Sequence, residues 1–165
     1  GQLQRVGIAR AIALNPSLVV ADEPVSALDV SIQAQIINLM MDFREKMGIA
    51  FLFISHDMSI VEYFCDRVAV MYLGKIVEIA SSEEIYKRPE HPYTEALLNA
   101  VPGLDSGQNK QKLKVRGDIP DPSNPPKGCS FNTRCPLKEK QCEEIEPTLK
   151  EIAPGHHVAC LLKER

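Results

Sequence analysis

The sequence contains no run of about 18 apolar residues, the length a membrane-crossing helix needs, so no span is expected. Its opening residues lack the charged, apolar and small-residue zones of a secretory signal. Positive charge is not in excess either. The 19 Lys and Arg stand against 22 Asp and Glu, for a net charge of −3, which gives no reason to expect nucleic acid as a partner. The phosphate-cradling loop G-x-x-x-x-G-K-[ST] is absent: Gly74-Lys75 is followed by Ile and lacks the earlier Gly. No cysteine pair has the short C-x2-4-C spacing of a zinc knuckle. The 165 residues, 44% hydrophobic and 25% charged, suit one globular domain, with or without an appendage.

The most informative stretch is Leu18 to Asp29. Leu18-Val19-Val20-Ala21 ends abruptly in Asp22 and Glu23, and Pro24 then breaks regular structure. Two valines in a run without alternation suit a strand buried on both faces, as in a parallel sheet. The two acids then sit at its C-terminal end, where open α/β sheets place their ligands. One carboxylate there can hold Mg²⁺, directly or through water, and the next can polarise a water for attack on a phosphoryl group. A polar loop end accounts for the same two residues without any chemistry. Ala50 to Ile54 reads as a second apolar strand that brings Ser55-His56-Asp57 to the same edge. A histidine after a strand is commonly structural. Beside an acid pair, a neutral imidazole can instead hydrogen-bond a γ-phosphate and its attacking water.

The connecting elements follow from periodicity and caps. Leu3, Val6, Ala9, Ile12 and Ala13 keep helical spacing over Leu3 to Leu14, and Asn15-Pro16 ends it. Asp29 or Ser31 can cap a helix reaching about Met47, with Ile32, Ile36, Leu39, Met40, Phe43 and Met47 as its buried stripe and Gly48 as its stop. Asp57 suits the cap of a short helix, Met58 to Phe64, and Cys65 reads as an inert buried thiol. Arg67 to Tyr72 and Lys75 to Ile79 form a hairpin about Leu73-Gly74. Ser81-x-x-Glu84 is a capping box for a helix that Pro89 ends, and Pro92 opens another through Ala100.

In order, Gly1-Gln2, Leu18 to Glu23, Ser26-Ala27-Leu28-Asp29 and Ser55-His56-Asp57 resemble the nucleotide-binding domain of ATP-binding cassette (ABC) transporters. The fold this implies is α/β: the C-terminal part of a P-loop NTPase domain, with parallel strands and flanking helices. The resemblance makes Gly1-Gln2 the tail of the signature motif, whose helix aims at ATP bound by the opposite subunit. Leu18 to Glu23 becomes the Walker B strand, with Asp22 holding the Mg²⁺ environment and Glu23 as catalytic base. Ser26 to Asp29 becomes the D-loop and His56 the switch histidine. On this view the chain is the later part of a longer one, and the 165-residue piece alone neither binds ATP tightly nor hydrolyses it.

After Val101 the composition changes. All of the 12 prolines except Pro16 and Pro24 lie from Pro89 onward, and residues 102–127 read as an irregular linker. Cys129, Cys135, Cys142 and Cys160 follow in the spacing C-x5-C-x6-C-x17-C. A segment with few large apolar residues needs a staple. Disulfides do not suit the reducing cytosol where an ATPase core works. Zinc and a [4Fe-4S] cluster both take four thiolates, and the wider spacing suits the cluster. His156 and His157 are expected on the surface of a Pro154-Gly155 turn.

The run Arg88-Pro89-Glu90-His91-Pro92-Tyr93-Thr94-Glu95-Ala96-Leu97-Leu98, with the Cys-bearing tail, resembles the ATPase subunits of oligopeptide and dipeptide importers. The resemblance divides the chain into an ATPase portion, residues 1–101, and an importer-type extension, residues 102–165. It implies ATP and Mg²⁺, and a [4Fe-4S] cluster in members with four such cysteines. It also implies a second ATPase subunit, two transmembrane permease subunits and an extracytoplasmic binding protein, with this chain peripheral on the cytoplasmic face of the membrane. Importers of nickel chelates or sugars would share these motifs, since this subunit does not touch the cargo. Two other readings are a non-catalytic, metal-stapled interaction module and an ABC-type ATPase of DNA repair or translation.

Overall fold

Helical periodicity and the Asn15-Pro16 break produce α1 (Gln2–Ile12) in the computed structural model, which describes residues 1–101, 113 and 115–163. Asn15 takes φ 49°, a left-handed turn that asparagine tolerates. Of the expected apolar face, Leu3 and Val6 are exposed, and it is Ile8 that packs on the core.

Strands β1 (Leu18–Asp22) and β2 (Ala50–Ile54) pair in parallel, Leu18 opposite Ala50 through Asp22 opposite Ile54. The connection runs through α2 (Val30–Met47), a crossover of the length that parallel strands require. Asp29 is its N-cap, accepting from the Ile32 N–H at 3.0 Å. Gly48 closes it at φ 66°, donating to the Arg44 carbonyl. The buried stripe is Ile36, Ile37 and Met40, whereas Met47 is exposed. Helix α3 (Met58–Phe64) starts on Asp57, whose Oδ1 accepts from the Ser59 and Ile60 N–H groups.

Ala21, Val25, Ile36, Ile37, Met40 and Phe64 form the core between sheet and helices, with Phe64 set edge-to-face on Phe51 at 5.7 Å. Burial on both faces of the sheet is not found. Leu18 and Val20 of β1 and Leu52 and Ile54 of β2 are exposed, because among the described residues helices cover one face only.

The chain divides into two compact units, Gly1–Cys65 and Asp66–Arg165. In the second, β3 (Arg67–Tyr72) and β4 (Lys75–Ser81) form the antiparallel hairpin, turning on Leu73 (φ 45°) and Gly74 (φ 76°). Two left-handed residues in succession are what a tight primed turn needs. Helix α4 (Ser82–Lys87) is capped by Ser81, and α5 (Pro92–Asn99) starts with Pro92 in its first turn. The tail is less irregular than its composition suggests. Strands β5 (Lys150–Ala153) and β6 (His156–Val158) join the hairpin in the order β3-β4-β6-β5, so residues 66–101 share a unit with the tail. Of the linker expected over 102–127, residues 102–112 and 114 lie outside the described residues.

Candidate active site and cysteine tail

Parallel register brings the two strand ends level, and the residues after them meet. The Glu23 N–H donates to the Ile54 carbonyl at 2.9 Å, extending the ladder by one rung. Glu23 itself sits at φ 47°, an uncommon conformation for a residue with a Cβ and one that concentrates at functional sites. Its Oε1 lies 2.8 Å from His56 Nδ1. A carboxylate only accepts, so Nδ1 carries the proton and Nε2 is left to the outside of an exposed ring. That hydrogen bond first, then the Glu23 charge with a smaller share from Asp57, raises the His56 pKa above its ordinary value. Glu23 Oε2 is buried and has no hydrogen-bond partner among the described residues.

The other predicted residues fall around this pair. Asp22 ends β1 and is exposed. Ser26 Oγ and N–H both bond back to the Glu23 carbonyl, at 3.1 and 3.4 Å. The Asp29 carboxylate is engaged by the Ser31 hydroxyl at 2.7 Å and by the Ile32 N–H, which together lower its pKa. Gly1 is the N-cap of α1 without a side-chain cap, so the first helical N–H groups, beginning at Gln2, have no side-chain acceptor. A Cβ on Gly1 would come within 3.0 Å of Ile32 Cγ2, which seats the start of α1 against the start of α2.

In the second unit the four tail cysteines influence one another. Burial pushes the Cys129 thiol up to about 11, and the neighbouring Cys142, Cys160 and Cys135 add to it. Burial likewise raises Cys135 and Cys160. Opposing this, backbone N–H groups point at sulfur: Phe131 at Cys129, Leu137 at Cys135, Leu162 and Lys163 at Cys160. Gly128 has φ 70°, and a Cβ there would lie 2.5 Å from the Cys142 carbonyl oxygen, so only glycine lets these two Cys segments close up. Among the described residues, no three of His, Cys, Asp and Glu converge to hold a single metal ion.

Sequence reasoning missed the polar centre of this unit. Glu78 is fully buried in β4. Its Oε1 accepts from the Glu90 N–H at 2.8 Å and meets His156 Nε2 at 2.7 Å, while Oε2 accepts from the His91 N–H at 3.0 Å. His156 is therefore buried on β6, not on the surface, because Glu78 supplies its partner. The Pro154-Gly155 turn itself is present between β5 and β6. His91 caps α5 through Nδ1, accepting from the Tyr93 N–H, and its burial depresses its pKa to about 4. A lone acid inside the apolar run Lys75 to Ala80 was the available signal.

Residues 77–142 match the model of the oligopeptide/dipeptide transporter C-terminal region. A candidate peptide import ATP-binding protein of Brucella ovis is 58% identical over 161 residues, covering 98% of this chain and 51% of that protein. The oligopeptide transport ATP-binding protein AppF of Bacillus subtilis is 54% identical over 164 residues, covering 98% of this chain and 50% of that protein. The chain thus spans about half the length of the curated relatives it matches. Among solved structures, the ADP conformation of MJ1267, an ATP-binding cassette of an ABC transporter, matches with a TM-score of 0.52 and 31% identity, over 61% of this chain and 39% of that one. By sequence over nearly its whole length, and by fold over 61% of it, the chain is similar to about half the length of the ATP-binding proteins of peptide transporters and to part of an ABC-transporter cassette.

Proposed function

We propose that the complete protein is the ATP-hydrolysing subunit of an ABC importer for peptides, with residues 1–101 in the ATPase portion and 102–165 as its extension. The observation that carries this reading is the 2.8 Å bond between Glu23 and His56 at the ends of two paired parallel strands. Glu23 is the general base: its part-exposed carboxylate accepts a proton from the attacking water while its Oε1 holds the imidazole. His56, oriented through Nδ1, turns Nε2 toward the γ-phosphate. Asp22 is the residue that would hold Mg²⁺, which supplies charge neutralisation on the phosphates when bound. The open N–H groups at the start of α1, at Gly1 and Gln2, serve the nucleotide of a second ATPase subunit, and Ser26 and Asp29 lie in the loop facing that subunit. Two permease subunits and, through them, an extracytoplasmic binding protein complete the assembly, with this subunit on the cytoplasmic face of the membrane. Among the described residues no helix is long and apolar enough to cross a membrane.

The test is Glu23→Gln in the complete chain. Nucleotide binding is expected to persist while hydrolysis falls at least roughly a hundredfold, the scale of a lost general base. An unchanged rate would refute the role of Glu23.

For the tail the reading is a [4Fe-4S] cluster on Cys129, Cys135, Cys142 and Cys160. What supports it is the set of four cysteines itself, the electrostatic influence that Cys129 feels from Cys142, Cys160 and Cys135, and the backbone N–H groups at Cys129, Cys135 and Cys160. Protein purified without oxygen should carry about four iron and four sulfide per chain, and Cys142→Ser should lose them. Stoichiometric zinc in place of iron would overturn the cluster.

A further inference from the structure

We propose that Gln33 is a positioning residue for the catalytic carboxylate: its amide clamps the loop between β1 and α2 and thereby fixes the backbone at Glu23. Gln33 lies one turn into α2, half-buried. Its Nε2 donates to the Val25 carbonyl and to the Leu28 carbonyl, each at 3.1 Å. Both partners are acceptors, so only the NH₂ end of the amide can serve them, and both of its hydrogens are used.

The clamp acts on a short chain of contacts. The Val25 carbonyl also receives the Leu28 N–H at 3.1 Å, closing one turn, and the Glu23 carbonyl receives the Ser26 N–H and hydroxyl, closing the turn before it. Pro24 and Val25 are buried between the two turns. Glu23 is held at φ 47°, and a sparsely populated conformation persists only where its surroundings over-determine it. The same loop ends on Asp29, the cap of α2. Removing the amide leaves the Leu28 carbonyl without its side-chain donor and frees the second turn from the helix. The carboxylate then samples orientations that no longer hold it against His56 and a substrate water.

This inference rests on the reading of Glu23 as the base, and the experiment separates the two. In the complete chain, Gln33→Met keeps the length of the side chain and removes both donors; Gln33→Glu keeps the shape and sets a carboxylate against two carbonyls. The expected result is a kcat about tenfold lower for Gln33→Met, on the scale of a lost hydrogen bond, and lower again for Gln33→Glu, with KM for ATP within about twofold and thermal midpoints nearly unchanged. Hydrogen exchange at the Leu28 N–H should rise about tenfold in Gln33→Met while the middle of α2 keeps its protection. A packing role alone predicts the opposite order, with Gln33→Glu the milder change at equal shape, and that order would overturn the proposal. So would an unaltered Leu28 exchange rate, which reads the clamp whether or not the unsubstituted chain hydrolyses ATP. Absence of hydrolysis by the unsubstituted complete chain would instead refute the functional reading.

Discussion

At the scale of single residues, the pair Glu23 and His56 makes a direct prediction about pH. The folded imidazole is held above its unfolded value of 6.5 by the Glu23 carboxylate. Its stabilising contact is therefore complete below that value and is lost as pH rises through the folded midpoint. The His56 ring protons followed by NMR should titrate above the ordinary range, and Glu23→Gln should bring that midpoint down. A midpoint indifferent to Glu23→Gln would mean that the 2.8 Å contact does not persist in solution. These residues were legible in the sequence because each sits where a strand stops, and strand ends are marked by abrupt loss of apolar character. The positive φ of Glu23 was not legible, since no glycine or asparagine advertises it. Gly128 is the reverse case: its need for φ 70° and for a missing Cβ comes from the Cys142 carbonyl, distant in sequence. Gly128→Ala should lower the stability of the second unit by about 1–3 kcal/mol, read as a drop in its denaturation midpoint.

At the scale of elements, Glu78 joins three that local pattern treats as separate. One carboxylate accepts from the start of α5 twice and binds β6 through His156. Glu78→Ala leaves two backbone N–H groups and an imidazole unpaired in a dry interior, and should cost about 3–5 kcal/mol in a denaturant titration. Glu78→Gln keeps an acceptor and should cost less. A loss under about 1 kcal/mol for Glu78→Ala would show that water replaces the carboxylate freely. Caps and turns were legible here, as Asp29, Asp57, Ser81 and Gly74 act over one to three residues of chain. Pairing of β4 with β6 was not, because it closes a separation of Glu78 from Val158 that no local signal spans. The surface reading of His156 failed for the same reason: its environment is made by a residue far away in sequence.

At the scale of the whole molecule, the first unit is half covered. Leu18, Val20, Leu52 and Ile54 present an apolar patch on the open face of the sheet. Patches of this kind on a soluble surface bind other apolar matter. The 165-residue chain should bind an apolar fluorescent dye, and Val20→Lys with Leu52→Lys should remove roughly half of that signal without altering its helical circular dichroism. Signal retained in full by the double variant would place the dye elsewhere.

The parallel register has one more consequence. Side chains along a strand alternate with a period of two, so a single inserted or deleted residue between Ala50 and His56 would rotate the imidazole to the opposite side of the sheet, away from Glu23. Anyone transplanting this acid–imidazole couple into another parallel scaffold must copy the count of residues along each strand before copying the residues themselves.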